Sequence, residues 1–328
     1  MVRPFERAFV TGGSGFIGAR LVRRLVAEDF DIVALARSEA SAGKVTKLGA
    51  IPARGDLDDV DAMAAAAESC DVAFHLAAFV ADWGSREDYQ RGNVEGTKNA
   101  LEACRRANVR RFVHCGTEAA VLAGQAFRNA NESAPLRPDS PALYSATKAK
   151  AESLVREANG ADMETVVVRP RFVWGAGDTT LLPEIAAAVE NGKFAWVGGG
   201  LHRTSITHVD NVVEGLLLAA ERGRGGEAYF VTDGEPVVFR DFISELLETQ
   251  GVTPPERSVP SWLATALARG GELAWRVLPL GGSPPLTRFA LWAASTECTL
   301  DDSKARSELG YKPAVTHEQG LAEIRQAS

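Results

Sequence analysis

The ten residues Phe9–Gly18, FVTGGSGFIG, constrain the fold more than any other stretch, because they read as an apolar strand running through a glycine loop into a helix. Gly13, Gly15 and Gly18 satisfy G-x-G-x-x-G, and Gly12, Gly15 and Gly18 satisfy G-x-x-G-x-x-G. Glycines so placed permit a tight turn, let the backbone approach a pyrophosphate and let the helix pack closely on the strand. The N–H groups of the opening turn, around Phe16, Ile17 and Gly18, and the helix dipole then favour an anion. Taken alone, the match also fits any tight strand-to-helix turn, so the rest of the chain has to decide.

Downstream, Ile17, Leu21, Leu25 and Val26 recur at helical spacing with Arg20, Arg23 and Arg24 mostly on the other face, which predicts a helix packed on a sheet. Asp31–Ala36 predicts a second strand, and further strands are expected around 51–54, 71–76 and 111–115. An alanine-rich helix through Ala67 and a helix from Asp88 to Asn108 alternate with them. The expected class is α/β, a doubly wound parallel sheet with its ligand outside the carboxyl ends of the strands. Beyond Arg169-Pro170 the alternation loosens into a smaller, mixed C-terminal substrate-binding lobe. The expected partition is 1–175, joined by about 205–232, for the dinucleotide part, and 176–204 with 233–328 for the substrate lobe.

A net charge of -7 and a pI near 5.4 argue against a nucleic-acid or general anionic-membrane binder, a local basic patch apart. Cys70, Cys104, Cys115 and Cys298 show no metal or disulfide spacing and read as buried reduced thiols, so no metal site is expected. No signal-peptide pattern or apolar run of spanning length is present in the sequence, which points to a cytoplasmic location.

At the end of the second strand an acid would accept from a ribose hydroxyl, whereas a base would pair with a 2′-phosphate. Ala36 is followed by Arg37, so NADP(H) is preferred, with Glu39 as the partner that would select NAD(H) instead. Asp56 can meet the adenine amino group or cap a helix, and the residues leave both open. His75 reads as a buried, satisfied histidine, and His208 and Asp210 as structural, with Asp210 the N-cap of the helix that follows. Thr117 falls at a strand end, and Tyr144 and Lys148 share a helix face at i and i+4. A phenol with an ordinary pKa of about 10 is a poor acid–base group at neutral pH, so a neighbouring ammonium would improve it. Thr117 would add a hydroxyl that donates to a substrate oxygen.

Thr11-Gly-Gly-Ser-Gly-Phe-Ile-Gly18, Gly55-Asp56-Leu57, His75-Leu-Ala-Ala78, Asn93-Val-Glu-Gly-Thr97, Tyr144-x-x-x-Lys148 and Arg169-Pro170 together resemble the extended short-chain dehydrogenase/reductases, over essentially the whole chain. Residues 169–178, 207–212 and 302–305 most resemble the 3β-hydroxysteroid dehydrogenase and dihydroflavonol reductase-like branches. The resemblance implies a Rossmann sheet of the epimerase/dehydratase kind, a catalytic triad of Thr117, Tyr144 and Lys148, and a homodimer. It also implies cofactor contacts at Gly12, Gly15, Phe16, Ile17, Gly18, Arg37, Asp56, Leu57, Ala77, Ala78, Tyr144, Lys148 and Pro170. Thr117 stands where serine is more usual. Nucleotide-sugar dehydratases place an acid and then a glutamate after the threonine. Here the pair is Glu118-Ala119, which lacks the second carboxylate, so dehydration is disfavoured.

Phe79, Trp83, Glu118, Ala119, Arg171 and Trp174 are the substrate-side candidates. Arg171 and Arg203 keep a sugar diphosphate open as ligand. The apolar run from Trp262 to Leu280, continued by Phe289, Leu291 and Trp292, is a core, a substrate wall or a membrane-surface contact, and the sequence leaves these open. The expected function is hydride transfer between NADP(H) and a secondary alcohol or ketone of a steroid, terpenoid or β-keto acyl substrate. An NAD-dependent nucleotide-sugar epimerase and a non-catalytic cofactor sensor are the alternatives.

Overall fold

Strands β1 (Arg7–Thr11), β2 (Asp31–Ala36), β3 (Ile51–Arg54), β4 (Val72–His75), β5 (Arg111–Cys115), β6 (Glu164–Arg169) and β7 (Ala228–Phe230) form one sheet in the order β7-β6-β5-β4-β1-β2-β3. The structure is a computed structural model and describes residues 5–278 and 280–327. Every pairing in this sheet is parallel. Alternate residues of each strand feed two different cores: Ala8 and Val10 of β1 with Val72 and Phe74 of β4 face one side, while Phe9 and Ala73 face the other. Helices α1 (Phe16–Ala27) and α6 (Val209–Arg222) cover the first face; α3 (Val60–Ala67) and α4 (Gly96–Arg106) cover the second. The order reverses direction between β1 and β4, which puts the glycine loop at the switch point.

The helix expected from Asp88 to Asn108 is present, running without interruption over Arg86–Arg106 but with a change of winding inside it. Arg86–Tyr89 is followed by a π-helical turn, Gln90–Glu95, before α4 begins. Such turns interrupt the regular ladder and redirect one side chain, here Asn93, into the interior.

A four-stranded sheet pairs Val237–Val238, Arg203–Thr204, Cys298–Leu300 and Phe127–Ala130 in that order. Beside it lies a further core built on Trp174, Trp196, Phe242 and Leu246. Trp174, expected on the substrate side, is fully buried there, its indole N–H donating to Asp233 at 2.7 Å. That corrects its assignment: residues 173–174 pair with 207–208, which turns the ring away from the crevice. His208, rather than Asp210, caps α6, its ring accepting from the Asp210 N–H at 3.3 Å. Asp210 lies in the first helical turn, where its charge complements the dipole. The four cysteines are free and buried, as expected.

Asp233 accepts from Trp174, from the His208 backbone at 2.6 Å and from Asn211 at 2.7 Å, so one carboxylate ties three segments together. Asp233→Ala strands these donors and should lower stability by about 3 kcal/mol, read from the melting temperature.

Candidate active site

The glycine loop leaves room only for backbone. Gly12 has φ +75°, and a Cβ on it would lie 2.7 Å from the Ala77 nitrogen; one on Gly18 would lie 2.1 Å from the Gly12 oxygen. A Cβ on Gly15 would meet nothing closer than that same oxygen at 3.3 Å, so the Gly15 side is open. No side chain caps α1 and its first turn holds no acid, which leaves its N–H donors to an anion. The Thr11 hydroxyl bonds His75 at 2.8 Å and accepts from the Ala77 N–H at 3.3 Å, fixing the loop of Ala77 and Ala78 beside the glycines. Thr97 meets the other His75 nitrogen at 3.1 Å. Burial and the nearby Lys148 charge hold His75 at about 3, so it stays neutral and structural. The cradle fits a dinucleotide pyrophosphate.

Arg37 is exposed just beyond β2. The β2–β3 register sets Ala36 opposite Arg54, which brings a second cation to the same edge, 3.6 Å from Glu39. Arg54 was not legible from spacing, because only strand pairing brings it there. Asp56 does not cap α3: Asp59 does, accepting from Ala62 at 2.9 Å, while Asp56 accepts from its neighbour Leu57 at 2.6 Å. Leu57 packs against the start of α4 at Gly96.

Thr117 lies two residues past the end of β5, where it caps a short helical turn, and Tyr144 and Lys148 lie on α5 (Leu143–Glu157). Glu152 of α5 and Arg169 of β6, both wholly buried, form an ion pair that locks the helix to the sheet. The Thr117 hydroxyl faces the Tyr144 phenol and draws its pKa down, and Thr117 donates to Glu118 at 2.8 Å. Buried Arg171 pairs with Glu118 and donates to Thr204 at 3.0 Å, closing the chain of hydrogen bonds. Burial, followed by the Glu118 charge, raises the Tyr144 pKa; the expected downward pull from Lys148 is not among the main influences. Lys148 instead donates to the Cys115 carbonyl at 3.1 Å and lies 3.4 Å from His114, and burial lowers its pKa. Asn93 accepts from the Phe79 N–H at 2.7 Å and donates to Thr147 at 3.0 Å, stitching the loop after β4 to α5.

Arg171 is corrected as a substrate contact. Its charge is spent on Glu118 inside the protein and cannot grip a diphosphate. Glu118 and Ala119 lie buried beneath Thr117, and the Glu118 N–H donates to the Pro170 carbonyl at 3.2 Å.

Residues 9–261 match the model of the 3-beta hydroxysteroid dehydrogenase/isomerase family. The chain belongs to that family. A 4-hydroxy-2-methyl-3-oxo-4-farnesyl-3,4-dihydroquinoline-1-oxide ketoreductase of Stigmatella aurantiaca is 48% identical, the match covering 98% of this chain and 96% of the relative. A 2-alkyl-3-oxoalkanoate reductase of Stenotrophomonas maltophilia is 35% identical over 98% and 99%. A UDP-glucuronic acid 4-epimerase from Bacillus cereus in complex with NAD, 21% identical, superposes over 98% of each chain with a TM-score of 0.75, which shows the same fold. The doubly wound fold and the oxidoreductase class follow.

Helices α7 (Ser261–Val277) and α8 (Arg288–Ser295) border a cleft over Tyr144. Phe289 meets the Tyr144 ring edge-on at 5.1 Å between centroids, and Trp83, Tyr89, Leu143 and Glu272 complete the cleft. Glu272 is held by Arg288 at 2.6 Å and went unnoticed in the sequence, a lone acid in an apolar run. Phe79 backs the cleft, edge-on to Tyr89. The C-terminal apolar run thus divides: Ala264, Ala268 and Leu291 are core, Phe289 lines the cleft, and several large side chains are exposed. Among the described residues no helix is long and apolar enough to cross a membrane.

Proposed function

We propose that this enzyme interconverts a secondary alcohol and a ketone carried on an apolar chain or ring system, with NADP(H) preferred over NAD(H). The observation that carries the reading is the Tyr144 phenol, set against Phe289 in a cleft, facing Thr117 and one helical turn from Lys148. In reduction Tyr144 gives its proton to the substrate oxygen. Thr117 turns from Glu118 to donate to the same oxygen, and Lys148 holds a ribose hydroxyl. The bound nicotinamide supplies the hydride. The names of the two reductase relatives, one acting on a farnesyl quinoline ketone and one on a 2-alkyl-3-oxoalkanoate, support a ketone flanked by long apolar groups. The buried Arg171–Glu118 pair disfavours the epimerase reading. The same proposal assigns 1–175 with 205–232 to the cofactor and the remainder to the substrate, in a cytoplasmic homodimer.

NADPH and NADH oxidation against β-keto acids, terpenoid ketones and sterol ketones tests the proposal; silence across all three classes would sink it. Arg37→Asp and Arg54→Ala should each raise the KM for NADPH by about 10- to 100-fold while sparing NADH. An equal loss for both cofactors would remove the phosphate assignment.

A further inference from the structure

Helix α7 packs small residues inward and large ones outward. Its core-facing positions are Ala264 and Ala268, against Leu291, whereas Trp262 is 73% exposed, Leu273 64% and Val277 71%. At about 100° per residue, Trp262, Leu263, Leu267, Leu273 and Val277 share an uncharged arc roughly 140° wide on the solvent side. Leu278 and Leu280 continue the exposed apolar surface past the helix end. Nothing in the fold requires large apolar groups there, since alanines already make the internal contact. A contiguous exposed patch of this kind marks an interaction surface.

The charge around the arc has one sign. From Ser261 to Ser295 the chain carries Arg269, Arg276 and Arg288 against Glu272 alone, in a protein of net charge -7. Glu272 is buried on Arg288, so the exposed charges of α7 are Arg269 and Arg276, both on one border of the arc. Uncharged Trp and Leu flanked by arginine is the composition of a helix lying in a lipid interface, with the arginines at anionic headgroups. A second copy fits less well, because a two-fold contact presses the same cationic border against itself.

The inner side of this helix also builds the active site. Glu272 and Arg276 line the cleft with Tyr144, and the Arg276 guanidinium lies 5.7 Å from the centre of the Trp83 ring at its rim. We propose that α7 docks the enzyme on an anionic lipid surface, its apolar arc among the acyl chains, so that a lipid-dissolved ketone reaches Tyr144 past Trp83 without crossing water. The route for substrate rests on the reading under Proposed function; the docking itself does not.

Flotation of the full-length protein with vesicles of phosphatidylcholine, alone or mixed with phosphatidylglycerol, tests the docking without an activity readout. The protein should float with the mixed vesicles and bind neutral ones at least about tenfold more weakly. Leu267→Glu with Leu273→Glu should abolish flotation and keep the melting temperature and the turnover of a short, water-soluble ketone, since neither residue touches the cleft. Arg269→Gln should weaken binding to the mixed vesicles alone. Equal flotation of wild type and double variant, or no flotation of either, overturns the proposal. So does a double variant that falls from dimer to monomer by sedimentation equilibrium, which would make the arc a contact between copies. If no ketone is turned over but flotation behaves as stated, the substrate reading fails and the docking stands.

Discussion

Replacing Tyr144 with phenylalanine should cut kcat by about 10²- to 10⁴-fold while NADPH binding stays within about twofold. Phenylalanine keeps the edge-on contact with Phe289 and the packing of α5, so only the phenolic hydroxyl is lost. The pH dependence follows in sign from the environment of the phenol. Burial and the Glu118 carboxylate raise its pKa, so Tyr144 remains protonated through neutral pH and is ready to donate. Ketone reduction should therefore hold level across the neutral range and fall only above the ordinary tyrosine value of about 10. Alcohol oxidation, which needs Tyr144 to accept a proton, should rise with pH over the same range. A Tyr144→Phe enzyme with full turnover, or a reduction rate that climbs with pH, would exclude the tyrosine as proton donor.

Arg171→Met should cost about 3–5 kcal/mol of stability, because it leaves the Glu118 carboxylate buried without its partner. Two further bonds act in the same place. The Arg171 side chain reaches Thr204 of the smaller sheet, and its N–H donates to Thr207 at 3.2 Å. The exposed Arg203, only one residue from Thr204, provides the contrast: Arg203→Ala should change stability by less than about 0.5 kcal/mol. Thermal unfolding of the two variants side by side checks this, and equal melting temperatures would remove the buried pair from its proposed place. Glu118→Gln with Arg171→Met should recover part of the loss, since no uncompensated charge then remains inside.

The parts of the site that the sequence discloses are those set by short-range geometry. Gly12, Gly15 and Gly18 belong to one turn, and Tyr144 and Lys148 to one helix face; neither relation depends on the rest of the fold. Arg54, Glu272 and the contact of Phe289 with Tyr144 depend on which strands pair and where α7 and α8 settle, and no local spacing encodes that. Trp174 shows the opposite error. It follows Arg171 closely enough to suggest the crevice, yet pairing with 207–208 carries it into the core beside Asp233. His208 and Asp210 differ by two positions, and either side chain suits a helix start; the choice turned on backbone angles that composition does not record.

The four-stranded sheet has a consequence for synthesis. Phe127–Ala130 is made well before the strand it pairs with, Cys298–Leu300. Until about 170 further residues have left the ribosome, that segment waits with its pairing groups unmatched, a liability for wrong association. A stalled or prematurely stopped nascent chain exposes an adhesive edge, even though its nucleotide-binding strands are all complete.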